Sequence, residues 1–243
     1  MSKYYNTKSD ISSLSRKSGS NLVIRERFHE LSSLLISLNS SIQHLIQLVL
    51  YTSYGDNIEE AKSILKKNMS PKSRMQFVNS LPYGNNDEII SKVFFDYAKF
   101  IFFEIYELRN ILSHELWSSS DEHKDYVIFS TLTNEENFLI ANWRVLHKEN
   151  TTTIETHRSI LEYIRSMKFI SCKNLQEAIT DANLCSWILM NISTIINETD
   201  LEKREEGRKA FLIFRGTSHL FGEVAVSSET VNLRNSKSKT ILG

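Results

Sequence analysis

The sequence is poor in cysteine and has no excess charge of either sign. Its 243 residues include two cysteines, Cys172 and Cys185, which lack CxxC spacing and have no clustered Cys or His partners that would indicate zinc. We therefore expect core cysteines in a reducing compartment, and no metal or other cofactor. Lys plus Arg equals Asp plus Glu at 29 each, so the whole molecule exerts no long-range attraction on nucleic acid, and any RNA contact must be local.

Long hydrophobic runs are also missing. No stretch approaches the roughly 18 uninterrupted apolar residues typical of a membrane span, and the N-terminus is polar and rich in serine. The sequence therefore predicts a cytoplasmic protein that does not enter a membrane. The hydrophobic content of 41% is enough for a single large core.

Apolar residues recur mostly at helical spacing, which predicts a mainly α protein. We expect a flexible N-terminal segment over residues 1–20, a helical domain over 21–215 and a polar, partly disordered tail over 216–243. Within the domain, helices are predicted over about 21–54, 58–68, from Pro71, 87–117, from about 152 to 167, and 175–196, with a charged helix over 201–214. Two β-prone runs, 126–133 and 137–146, predict a small β-hairpin over about 126–146.

The helix predicted over 87–117 is the most apolar one and would be the centre of a bundle. On a helical wheel, Ile101, Ile105, Leu108 and Leu112 share one face, which is the expected core face. The other side carries polar and aromatic residues: Phe103, Tyr106, Glu107, Asn110, His114 and Trp117. Clustered aromatic residues on such a face indicate a groove or an interface.

Three residues of this helix form a candidate site. Asn110 and His114 are four residues apart and so are neighbours, and Arg109 at the edge of the apolar stripe is long enough to reach them. Glu107 could orient the imidazole or the guanidinium, and Tyr106 lies nearby on the same side. Histidine can transfer protons near neutral pH, and arginine can donate two parallel hydrogen bonds to a phosphate.

The segment from Arg109 to His114 reads RNxxxH, and here the sequence resembles the HEPN superfamily, whose signature is an Arg and a His separated by four to six residues, often with Asn after the Arg. The resemblance is strongest over residues 94–117 and weaker over the rest of 21–200. It implies an up-and-down helical bundle in which the hairpin is an insertion. One branch of the superfamily, toxins paired with nucleotidyltransferase antitoxins, tends to carry Tyr two residues after the motif His, where this chain has Leu116.

The resemblance also implies an activity. HEPN ribonucleases are metal-independent endoribonucleases in which a homodimer combines two copies of the motif into one composite site. His114 would then be the acid or base, Arg109 the phosphate clamp and Asn110 its positioner, while Glu107 and Tyr106 would orient these groups or contact RNA. The implied role is that of a toxin or abortive-infection defence effector, with an antitoxin or another regulatory protein as a partner.

Two other interpretations stay open at the level of the sequence. In the first, the chain is a non-catalytic HEPN-like module whose motif face binds a protein or a nucleotide. In the second, Arg109 and Glu107 belong to a surface ion-pair network, while His114 and Asn110 form hydrogen bonds inside the bundle or cap the helix. A motif sealed inside the bundle would argue against an enzyme, whereas an open one would be compatible with it.

Overall fold

A computed structural model describes residues 2–7, 22–55, 57–67, 70–79, 88–118, 123–146 and 153–197, together with Glu202 and Glu206. These residues are mostly helical, which confirms the predicted mainly α class. The helices are α1 (Leu22–Tyr54), α2 (Ile58–Lys67), α3 (Pro71–Asn79), α4 (Glu88–His114), α5 (Leu132–Leu146), α6 (Thr153–Ser166) and α7 (Cys172–Asn197). The strands are β1 (Leu116–Ser118), β2 (Tyr126–Ser130) and β3 (Lys168–Ser171).

Local signals in the sequence set several helix ends. Gly55, with a φ of 50°, ends α1 in the left-handed region that glycine adopts without steric cost, as predicted near Tyr54. Ser70 caps α3, since its Oγ accepts a hydrogen bond from the amide of Ser73 at 3.0 Å, and Pro71 occupies the first helical position.

The chain divides into two compact units, and the boundary between them falls inside α1, α4 and α7. The first unit comprises Met1–Ser41 and Ile101–Leu184, and the second comprises Ile42–Phe100 and Cys185–Gly243. In the second unit, buried apolar side chains come from α1, α2, α3, α4 and α7, including Ile46, Leu50, Ala61, Met75, Phe95 and Ile188. The buried Cys185 thiol lies 3.4 Å from the Ala98 carbonyl oxygen, which confirms the predicted core cysteine at this position, whereas Cys172 at the start of α7 is only half-buried.

The first unit contains a three-stranded antiparallel sheet in the order β1-β2-β3. Trp117 pairs with Phe129, and Ile128 pairs with Phe169. Ile128 and Phe169 are fully buried and form a cluster with Tyr163, Ile164 and Met167 of α6 and its C-terminal end. Packing against α6 therefore covers one face of the small sheet.

The predicted hairpin over residues 126–146 is wrong in its second half. Residues 126–130 do form β2, but the second β-prone run lies in α5, which begins at Leu132. The Oγ1 of Thr131 accepts a hydrogen bond from the amide of Asn134 at 3.3 Å, and the Thr131 carbonyl accepts one from the amide of Glu135 at 3.1 Å. This N-cap starts a helix, and its Phe138 stacks on Tyr163 at 4.4 Å.

Of the N-terminal segment predicted to be flexible, residues 1–20, the structure describes residues 2–7, which make specific contacts with the first unit; residues 8–20 lie outside the described part of the chain. Asn6 pairs with Phe169 at the edge of the sheet through two backbone hydrogen bonds of 3.0 and 3.2 Å. Tyr4 is 1% exposed and donates a hydrogen bond to Asp181 at 2.5 Å, and Lys3 forms an ion pair with the same carboxylate at 2.7 Å. The segment is therefore fastened to the first unit.

Beyond residue 197 the structure describes only Glu202 and Glu206. The predicted charged helix over 201–214 and the tail over 216–243 lie outside the described residues, apart from Glu202 and Glu206, which are helical.

Arg25–Tyr54 of α1 is long and apolar enough by composition alone to cross a membrane, but the core helix of a soluble protein meets the same criterion. Leu35, Ile42 and Ile46 of α1 are buried within the protein.

Candidate functional site

The RNxxxH motif occupies the last two turns of α4, in the first unit. Ile105, Leu108 and Ile111 of these turns are buried, so the side chains on the other side of the helix face outward. The predicted core face is confirmed at Ile101, Ile105 and Leu108, whereas Leu112 is half-buried. The helix ends at His114 and not near Trp117, because residues 116–118 pair with β2 as a strand.

The side chains of Arg109, Asn110 and His114 converge. One guanidinium nitrogen of Arg109, Nη1, lies 3.1 Å from Asn110 Oδ1 and 3.3 Å from His114 Nε2. Because a guanidinium can only donate, Nε2 must accept in this arrangement, which places the proton of a neutral imidazole on Nδ1. His114 is exposed, and Arg109 and Asn110 are half-buried. The motif is thus open to solvent, as an enzyme would require.

The two residues expected to orient the motif have other partners. Glu107 accepts a hydrogen bond from the Tyr5 hydroxyl at 2.7 Å, and among the described residues it forms no hydrogen bond or ion pair with Arg109 or His114. Burial, followed by the Glu107 carboxylate, raises the pKa of the Tyr5 phenol well above its ordinary value. Tyr106 is half-buried, with its ring centroid 5.8 Å from that of Phe102.

All five predicted site residues line one pocket of about 600 Å³. The walls come from three places in the first unit: the end of α4, the start of α5 and the first residue of β3. The volume lies within the range of about 300–1,000 Å³ that is typical of small-molecule sites. Among the residues that the structure describes, the lining consists of Tyr106, Glu107, Arg109, Asn110, Ile111, His114, Glu115, Thr131, Leu132 and Lys168.

Three polar residues of this pocket were missed by the sequence reasoning: Glu115, Thr131 and Lys168. Lys168 forms an ion pair with Glu115, and their side chains are only 20% and 13% exposed. Nothing in the local sequence links two residues 53 positions apart, because strand pairing brings them together. Thr131 had a readable signal, since Thr131-x-x-Asn134 has the spacing of an N-cap.

Among the residues that the structure describes, no group of three or more His, Cys, Asp or Glu side chains is arranged to bind a metal ion. The resemblance to the HEPN superfamily depends on the RNxxxH segment and on the helical setting around it, and it stays a prediction. No protein-family model, curated protein or solved structure matches the chain.

Proposed function

We propose that the protein is a metal-independent endoribonuclease of the HEPN type. One observation carries the proposal: Arg109 and His114 are in contact at 3.3 Å, beside Asn110, in a solvent-open pocket of about 600 Å³. A phosphate clamp and a proton-transfer group within hydrogen-bond reach of each other are what cleavage of RNA by its own 2′-hydroxyl requires.

In the proposed reaction, His114 Nε2 accepts the proton of the ribose 2′-hydroxyl as its oxygen attacks the adjacent phosphorus. The bond from phosphorus to the 5′-oxygen of the next nucleotide breaks, and a second group protonates that oxygen. The products are a 2′,3′-cyclic phosphate and a 5′-hydroxyl. Arg109 donates hydrogen bonds to the phosphate oxygens as negative charge develops on them, while Asn110 holds the guanidinium in place. DNA has no 2′-hydroxyl and would not be cleaved.

The need for an acid as well as a base supports a homodimer, in which His114 of a second copy would protonate the leaving oxygen. The start of α5 offers a surface for such a copy, because Leu132 lines the pocket and begins a line of exposed apolar side chains. Leu139 is 63% exposed and Trp143 is 52% exposed on the same face of the helix. Contiguous exposed apolar residues of this kind mark protein interfaces. In a cell, RNA cleavage by such a dimer would act as a toxin.

Cleavage of a mixed-sequence single-stranded RNA in EDTA tests the proposal. We expect the wild type to cleave it, and His114→Ala and Arg109→Ala each to reduce kcat/KM by at least about a hundredfold. Matched controls are His44→Ala, at an exposed helical histidine, and Arg158→Ala, at an exposed arginine paired with Glu162. Both controls should retain activity.

The products and the oligomer provide a second readout. Cleavage by the proposed route leaves 2′,3′-cyclic phosphate ends, and RNA methylated at the 2′-oxygen should be inert. Leu139→Glu should dissociate the dimer and abolish cleavage, whereas Leu34→Glu, at an exposed leucine of α1, should do neither. If the folded wild type leaves RNA intact, the protein is a binding module; if cleavage survives both motif substitutions, the motif is not its source.

A further inference from the structure

The ion pair between Lys168 and Glu115 lies in the wall of the motif pocket. Glu115 directly follows His114, and Lys168 begins β3, so the pair joins the end of the motif helix to the sheet. A pair that serves only stability should have all its polar atoms satisfied, because an unpaired charged oxygen away from water is costly.

This pair is incompletely satisfied. Glu115 Oε2 is buried and has no hydrogen-bond partner among the described residues, so the carboxylate accepts through Oε1 alone, from Lys168. The ammonium of Lys168 can donate three hydrogen bonds, and within the described part of the chain it donates to one acceptor, Glu115; its Nζ also lies 5.9 Å from the centroid of the Tyr5 ring. Lys168, which lines the pocket, can therefore donate further hydrogen bonds to a ligand.

The pocket around Lys168 contains two cations and two carboxylates, and each carboxylate already accepts a hydrogen bond: Glu107 from the Tyr5 hydroxyl and Glu115 from Lys168. Arg109 reaches it from α4 and Lys168 reaches it from β3, so two cations enter from different elements. The Thr131 hydroxyl accepts a hydrogen bond from Asn134, which leaves its own proton available to donate. Thr131 also places the positive end of the α5 dipole at the pocket.

We propose that Lys168 is a second phosphate-contacting cation of this pocket, held by Glu115 until an RNA backbone displaces the carboxylate. The ligand class rests on the proposed function, since RNA is the substrate inferred there. A bound phosphate oxygen competes with Glu115 for the ammonium. The pocket of one chain then binds RNA phosphates through two cations, Arg109 from α4 and Lys168 from β3. The strength of the ion pair with Glu115 determines how easily Lys168 becomes available to a phosphate.

Opposite effects of two substitutions test this inference. The probe is a fluorescent single-stranded RNA carrying 2′-O-methyl groups throughout, which binds but cannot be cleaved through its 2′-oxygens. Lys168→Gln should raise Kd about tenfold, as expected for the loss of one charge-assisted contact. It should also lower the slope of log Kd against log salt by about 0.7. Glu115→Gln should lower Kd, because it releases Lys168.

The control and the conservative variant separate this role from a structural one. Lys168→Arg should retain most of the affinity, and Lys173→Gln, at an exposed lysine paired with Glu177, should bind like the wild type. If Lys168 only held β3 to α4, Lys168→Gln and Glu115→Gln would break the same pair and weaken binding alike. That result, unchanged binding in both variants, or no binding by the wild type would overturn the inference.

The binding results for the Lys168 and Glu115 variants can be told apart from the cleavage results for the Arg109 and His114 variants. If Lys168→Gln weakens and Glu115→Gln strengthens binding while no RNA is ever cut, the second phosphate contact stands and the nuclease proposal fails. If RNA is cut through Arg109 and His114 while both pair variants bind like the wild type, the nuclease stands and the role of Lys168 fails.

Discussion

Tyr4 should be one of the residues on which the stability of the first unit depends most, although it lies in a segment that reads as flexible from its composition. Its side chain is 1% exposed, and its hydroxyl donates to Asp181 at 2.5 Å. Replacing Tyr4 with Ala removes the buried ring and leaves Asp181 with the ammonium of Lys3 as its partner. The substitution therefore tests whether residues 2–7 belong to the folded unit.

The expected cost can be worked out from these contacts. Truncating a buried aromatic side chain to Ala costs about 3–5 kcal/mol. A hydrogen bond to a charged group contributes about 1.5–3 kcal/mol, but Lys3 keeps part of the carboxylate satisfied. We therefore expect Tyr4→Phe to cost about 1–2 kcal/mol and Tyr4→Ala about 4–5 kcal/mol.

Thermal denaturation followed by circular dichroism is the assay. In a chain of this size about 1 kcal/mol corresponds to a shift in Tm of about 2–4 °C, so Tyr4→Ala, at about 4–5 kcal/mol, should lower Tm by about 8–20 °C. Its neighbour provides the comparison: Tyr5 is half-buried and bonds to the exposed Glu107, so Tyr5→Phe should cost less than about 1 kcal/mol. A melting curve for Tyr4→Ala that coincides with the wild type would refute the docking of this segment.

Three more predictions follow from single contacts. Because the pKa of Tyr5 is raised from its ordinary value of 10.0, mainly by burial and by Glu107, its contribution to stability is complete below pH 10 and is lost as the pH rises further. Unfolding free energies at pH 9 and 11 should therefore differ less in Tyr5→Phe than in the wild type, and an equal difference would contradict this. Burial raises the pKa of the Cys172 thiol, so this thiol should react slowly with a disulfide reagent at pH 7 and faster at pH 9. The buried Cys185 should stay unreactive until the protein unfolds. Rapid reaction of both thiols at pH 7 would be inconsistent with the fold. Thr131→Ala removes the N-cap of α5 and should cost about 1 kcal/mol in urea denaturation, whereas Thr133→Ala, at the second residue of the helix, should cost less.

The parts of the fold that could be predicted are those governed by neighbours in sequence. The start of α3 follows from Ser70 and Pro71, and the end of α1 follows from Gly55, because caps act within a few residues. The buried face of α4 follows from spacing alone, since Ile105 and Leu108 must share one side of any helix. The convergence of Arg109 and His114 is local for the same reason.

The errors arose where distant residues decide the structure. The strand over residues 126–130 was predicted correctly, but its predicted partner strand, the β-prone run over residues 137–146, is part of α5. The true partners are residues 116–118, which follow the motif helix without a break in pattern, and residues 168–171, a short run between two helices. Neither strand is long enough to show a period of two, and the β-prone residues 137–146 could become helical once Thr131 capped α5.

The candidate site likewise contains residues that local sequence could predict and residues that only distant pairing brings together. The helical half, Arg109 and His114, is readable from sequence, whereas Lys168 and Glu115 meet only because β3 pairs with β2. A net charge of zero gave no reason to expect an anion site, because a sum over the whole chain does not show where its cations lie. The pair of Lys168 with Glu115 is neutral as a whole, so it adds nothing to the long-range field of the protein. Under the proposal, Lys168 would contact an RNA phosphate only where that phosphate displaces Glu115, whereas Arg109 would contact one without such a displacement. For that reason the affinity of the Glu115→Gln variant bears more directly on the function of this pocket than any count of charges does.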